Sequence, residues 1–122
     1  MKHYLYLLCI CFFTLLVSCD KNVGETGVVE DAITGERLKG VVVKMNSSQG
    51  SRIDTTDIDG YFNVLKFFSC GIASCNTDYD IMFLKDGYDT LRISQGYSRS
   101  DNAVFVTEGK KDTLLIRLNV RD

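Results

Sequence analysis

From Thr26 to Val120 the chain alternates apolar and polar positions in short runs, each closed by turn-forming residues. Thr26 to Glu30 is rich in β-branched residues and gives way to the turn sequence Asp31-Ala32-Ile33-Thr34-Gly35-Glu36. Leu38 to Met45 reads as a strand, with Leu38, Val41 and Val43 as core positions and Lys39 and Lys44 facing water. Asn46 to Gly50 is a polar loop, and Arg52 to Thr56 is a polar strand of the kind found near a sheet edge. Asp57-Ile58-Asp59-Gly60 is a tight turn, because Asp bonds its local backbone and Gly accepts positive φ. Tyr61 to Phe67 follows as a strand with Phe62 and Val64 inward. Tyr79 to Leu84 alternates Tyr79, Ile81 and Phe83 against Asp80, Met82 and Leu84, and Lys85-Asp86-Gly87 reverses the chain. Tyr88 to Ile93 is the next strand, with Leu91 and Ile93 inside, before a polar, irregular stretch from Gln95 to Asn102. Ala103 to Val106 is short, and Asp112 to Val120 is last, with Leu114, Ile116, Leu118 and Val120 on one face. Seven or eight short strands without a helical period predict an all-β fold, an antiparallel β-sandwich of about seven strands.

The first residues follow another pattern. After Met1-Lys2-His3, the run from Tyr4 to Val17 carries no charge over 14 residues. That is short of the roughly 20 residues a bilayer core requires, and it matches a secretory signal peptide. It ends in Leu16-Val17-Ser18-Cys19, which resembles a bacterial lipobox, where the Cys is lipidated and becomes the new N-terminus. The alternatives are a plain signal peptide or an N-terminal anchor with a chance Cys at its end. The resemblance implies a signal peptide over 1–18, a lipidated tether over 19–25 and a domain over 26–122. Acyl chains on Cys19 would contribute about 0.8 kcal/mol per buried methylene, so two or three of them hold a protein firmly to a membrane. Asp20 to Glu25 would reach at most about 20 Å, keeping the domain close to the lipid surface. The expected location is the cell envelope, foremost the outer membrane; Asp20 leaves the leaflet open.

Composition narrows the function classes. Past residue 18 there are 13 basic and 16 acidic residues, a net charge of −3, which argues against a nucleic-acid partner. The one His is His3, inside the apolar leader. Without it no Ser/His/Asp arrangement can exist, and general-base work would need a tuned carboxylate. No cofactor is expected. Of five Cys, Cys9 and Cys11 lie in the leader and Cys19 in the lipobox, which leaves Cys70 and Cys75. In an exported protein this pair reads first as a structural disulfide and second as two half-buried thiols. A metal or redox site comes last, because the spacing is not CxxC and no His or further Cys completes it.

Five blocks, Gly27-Val28-Val29-Glu30-Asp31, Thr34-Gly35-Glu36, Leu38-Lys39-Gly40-Val41-Val42-Val43, Thr56-Asp57-Ile58-Asp59-Gly60-Tyr61-Phe62 and Lys85-Asp86-Gly87-Tyr88, together resemble the carboxypeptidase regulatory-like domain. That resemblance implies a transthyretin-like sandwich serving as an accessory module. The departures are the cysteine loop Ser69–Asn76 and the stretch Ser94–Asn102. Hydrolases of the transthyretin-like fold rely on His residues and an Arg-containing C-terminal motif, whereas this chain ends Asn119-Val120-Arg121-Asp122. Asp57 and Asp59, with Asp54 nearby, form the one metal candidate, but the twelfth position of a calcium loop starting at Asp57 would be Phe68, so a turn is preferred and no metal is expected. A Lys–Asn isopeptide bond would need a first-strand Lys, and Thr26 to Asp31 has none. Asp54-Thr55-Thr56, Asp89-Thr90-Leu91 and Asp112-Thr113-Leu114 resemble a short exported-protein glycosylation sequence, which would place sugar on Thr55, Thr90 or Thr113.

The leading expectation is a non-enzymatic, membrane-anchored structural or protein-interaction module. The alternative is a carbohydrate- or peptide-binding accessory of a neighbouring outer-membrane transporter. Partners would be the membrane, through lipid on Cys19, and an envelope protein or glycan; Tyr61, Tyr97, Asp57 and Asp59 are the candidate binding surface. Tyr88 is expected to pack rather than bind.

Overall fold

A computed structural model of the chain describes residues 1–14, 21–70, 75–94, 102–108 and 111–122. Among the described residues, one helix, α1 (Lys2–Thr14), precedes ten strands. These are β1 (Lys21–Val23), β2 (Thr26–Asp31), β3 (Val42–Ser47), β4 (Gly50–Thr55), β5 (Tyr61–Asn63), β6 (Lys66–Phe68), β7 (Tyr79–Leu84), β8 (Leu91–Ser94), β9 (Ala103–Glu108) and β10 (Lys111–Leu118). Residues 2–12 of the helix are exposed, and no described helix is long and apolar enough to cross a membrane.

Two four-stranded sheets carry the fold, one ordered β5-β2-β10-β9 and the other β4-β3-β7-β8. Period-two alternation places one side of every strand in the space between them. Val29, Phe62, Ala103, Leu114, Ile116 and Leu118 enter it from the first sheet, and Val43, Met45, Ile81, Phe83 and Ile93 from the second. Phe62 and Phe83 meet edge to face across the layer, with ring centroids 5.3 Å apart. The β-sandwich expected from the strand pattern is therefore present, but only its second sheet is purely antiparallel; the first is mixed. β10 runs parallel to β2, with Leu114 opposite Gly27 and Leu118 opposite Asp31. Alternation marks which face is buried and is blind to strand direction, so the pattern could not reveal this pairing.

Other departures lie at strand ends. Tyr61 to Phe67 is two strands instead of one: β5 pairs with β2, while β6 pairs with β1 in a separate ribbon. Asn63 Oδ1 accepts the Leu65 N–H at 3.0 Å, a local bond that turns the chain between them. Val120 is not in the core; it is 48% exposed and bridges to Tyr88 beyond the end of β10. Leu38 is buried as expected, yet it precedes β3, because Gly40 (φ +80°) bends the chain between them. The expected loop Asn46–Gly50 contracts to Ser48-Gln49, with β3 and β4 continuing on either side.

Packing starts before Thr26. β1 pairs with β6, and Val23, Phe68 and Cys70 form a second, smaller cluster against which Cys75 and Tyr79 pack. Gly24 (φ +116°) joins this ribbon to the sandwich; a side chain there would collide with the Val64 carbonyl oxygen and stand 2.8 Å from Met45 Sδ. Of the tether read over 19–25, Lys21 to Val23 are thus paired backbone.

Candidate functional site

The turn Asp57-Ile58-Asp59-Gly60 is organised by its first carboxylate. Asp57 Oδ1 accepts the N–H of Asp59 at 2.9 Å and of Tyr61 at 3.0 Å, and the Gly60 N–H returns to the Asp57 carbonyl at 3.0 Å. Gly60 (φ +74°) lies so close to β2 that an added Cβ would stand 2.6 Å from the Val29 carbonyl oxygen. Asp54 is also turned onto backbone, accepting from Thr55 at 2.8 Å and from Asn63 at 2.7 Å. These carboxylates therefore serve the turn and the β4–β5 corner. No group of three or more metal-ligating side chains occurs among the described residues.

The same turn delivers Tyr61 to the outer face of the first sheet, where it is 44% exposed. Register places Tyr61 beside Val28, Val28 beside Leu115, and Leu115 beside Val104. An apolar row thus crosses all four strands on the side away from the core, and Val106, 38% exposed, extends it. A shallow concavity of about 100 Å³ lies on this face, bordered by Val28, Arg37, Val106, Thr113 and Leu115. Tyr61, Asp57 and Asp59 are accordingly neighbours along one turn; Tyr97, the fourth expected member, lies outside the described residues, as does Cys19.

Two polar clefts that the sequence did not indicate flank Tyr79. One, of about 390 Å³, is lined by Asn46, Ser47, Ser48, Asn76, Asp78, Tyr79 and Asp80. The other, of about 210 Å³, runs along Lys21 to Gly24 with Thr77 and Tyr79. Pairing of β3 with β7 sets Asn46 against Asp80 and Ser47 against Tyr79, so residues more than 30 positions apart become neighbours. Tyr79 donates its hydroxyl to Glu25 Oε1 at 2.7 Å, and Ser48 donates to the Asn76 carbonyl at 3.0 Å. Cys70 and Cys75 form a disulfide beside these clefts, as expected from the cysteine count, and Gln49 bonds Ser69 backbone through both ends of its amide.

The most strongly engaged carboxylate lies elsewhere. Asp31, 6% exposed, accepts the N–H groups of Ile33 at 2.8 Å and Thr34 at 3.0 Å on one oxygen, and the Tyr88 hydroxyl at 2.8 Å on the other. The Thr34 and Ile33 amides, followed by the Tyr88 hydroxyl, hold its pKa below the ordinary 3.8. That hydrogen bond, then burial and the negative charges of Asp31 and Glu36, push the Tyr88 phenol above its ordinary 10.0. Tyr88 also packs on the core, as expected of it. This pair fastens the β2 turn to the chain after β7.

The described surfaces thus supply an apolar sheet face and two polar clefts, while the best-engaged carboxylates hold backbone. No protein-family model, no curated protein and no solved structure matches the chain.

Proposed function

We propose that this protein is a non-catalytic bacterial envelope lipoprotein, held to a membrane through acyl chains on Cys19, whose sandwich is a protein-interaction module of carboxypeptidase regulatory-like type. The observation that carries the interaction reading is the apolar row Tyr61–Val28–Leu115–Val104 across the outer face of one sheet. A face of this kind, rimmed by Arg37 and by the Arg117–Glu30 ion pair at 3.2 Å, has the apolar centre and polar border of a protein contact. The lipobox residues Leu16 to Cys19 support the anchor.

Photo-crosslinking residues introduced at Tyr61 and Val106 in living cells are expected to trap one envelope protein, whereas Asp86, in the distant Lys85–Gly87 turn, gives none. Equal or absent adducts at all three positions would refute the interaction reading. Labelled palmitate retained by the purified protein tests the anchor; loss of label on Cys19→Ser is the expected result, and an unlabelled native protein refutes it.

A second reading, a carbohydrate- or peptide-binding accessory module of an outer-membrane transporter, is favoured by the 390 Å³ cleft with its carboxamides, hydroxyls and carboxylates. Glycan-array binding abolished by Asn76→Ala would support it over the first.

A further inference from the structure

We infer that the outward face of the β1–β6 ribbon is a membrane-contact surface, with the Phe67 ring seated in the headgroup region of the bilayer that holds the acyl chains. This rests on the lipoprotein reading of Cys19. Phe67 is 62% exposed although its neighbour Phe68 is fully buried, because alternation turns Phe68 into the small cluster and Phe67 away from it. Its cross-strand partner is Asn22, also exposed and only three residues past Cys19. Three peptide units span no more than about 11 Å and a paired strand adds about 5 Å, so the Phe67 Cα stays within about 17 Å of the acylated residue.

The ribbon is not a loose leash. Val23 is buried and Gly24 is wedged against the Val64 carbonyl and Met45, so Asp20 is the one residue between the acylated Cys and paired backbone. With acyl chains in the leaflet, the ribbon meets a headgroup layer roughly 5 to 8 Å deep, where aromatic rings are favoured. Register sets Lys21 opposite Phe68 and Lys66 opposite Val23, so alternation turns both lysines to the ribbon's other face, and the outward face of these two strands carries only the uncharged Phe67 and Asn22. Of the nearby acids, Asp20 adjoins Lys21 in the chain, Glu25 holds the Tyr79 hydroxyl, and Asp78 is exposed in the cleft beside Tyr79. Among the described residues of the sandwich, exposed Ile53 stands mid-strand on β4, and exposed Ile33, Ile58 and Val120 lie toward the opposite end, past Asp31 and Leu118 or in the turn before Tyr61. The sandwich therefore stands on its ribbon and presents the Tyr61–Val104 row sideways.

The chain contains no Trp, so Phe67→Trp introduces a single, selectively excitable indole at an exposed position. The acylated full-length variant is reconstituted into phosphatidylethanolamine–phosphatidylglycerol vesicles, with and without brominated acyl chains. The expected result is blue-shifted emission that brominated lipid quenches, while Val120→Trp in the same vesicles is neither shifted nor quenched. Native protein gives a second readout: paramagnetic lipid should broaden Phe67 and Asn22 resonances before those of Val120. Protein that floats with vesicles yet shows equal emission and broadening at both ends overturns the contact but leaves the anchor intact. Protein without acyl chains overturns both.

Discussion

Thr56 closes the crossover between the two sheets, and its replacement by Val separates hydrogen bonding from apolar burial. The residue is 3% exposed. Its Oγ1 donates to the Leu38 carbonyl at 2.6 Å and accepts the Val41 N–H at 2.9 Å, both buried bonds. Leu38 and Val41 bracket the Gly40 bend through which the chain leaves the first sheet, and both belong to the core. Val has nearly the shape of Thr, so Thr56→Val opens no cavity but leaves one buried donor and one buried acceptor without partners. Each orphan costs about 1 to 3 kcal/mol, and the added methyl returns about 1 kcal/mol, giving a net loss of about 3 kcal/mol. For a domain of this size that lowers Tm by roughly 12 to 24 °C. Thr56→Ser keeps the hydroxyl and loses one methyl, for about 1 kcal/mol. Urea titrations followed by far-ultraviolet circular dichroism should rank native above Ser above Val. A Val variant within about 0.5 kcal/mol of native, or above Ser, would refute the hydrogen-bond account.

Three further outcomes are expected. Because the folded state lowers the Asp31 pKa, the stability it contributes is full above the unfolded carboxylate's pKa and is lost as pH falls through the lower folded value. Tyr88 is raised, so its contribution is full below the unfolded phenol's pKa and is lost as pH climbs through the higher folded value. Tyr88→Phe should therefore flatten the alkaline limb of a stability–pH profile and shallow the acid limb; unchanged limbs would break the link to this pair. Gly60→Ala combines left-handed strain with the Val29 carbonyl clash and should cost roughly 2 to 5 kcal/mol, against about 1 to 2 for Gly87→Ala, where nothing lies within reach of the new Cβ. Equal losses in chemical denaturation would mean that strain alone decides. Replacing Cys70 and Cys75 together by Ser reopens a short loop and should lower stability by about 2 kcal/mol, with faster amide exchange at Phe67 and Phe68; native-like exchange there would show that the disulfide does not brace the ribbon.

Local chemistry was enough for much of this molecule. Alternation in Val41–Val43, Ile81–Phe83 and Leu114–Leu118 identifies inward faces, since a strand's side chains change sides at every residue. Asp57-Ile58-Asp59-Gly60 announces its turn because the Asp carboxylate and Gly's positive φ act within four residues. The Cys70–Cys75 pairing followed from counting thiols and from their short separation. What the sequence could not settle depends on who lies beside whom. The parallel β2–β10 pair, the Tyr61–Val28–Leu115–Val104 row and the cleft at Tyr79 each join residues from distant strands through register. β1 escaped notice because three residues, Lys21 to Val23, carry no periodicity of their own and form a strand only against β6. Val120 misled for a related reason: it keeps the alternation of β10 after the opposing sheet has ended, and a residue is buried only where another layer covers it.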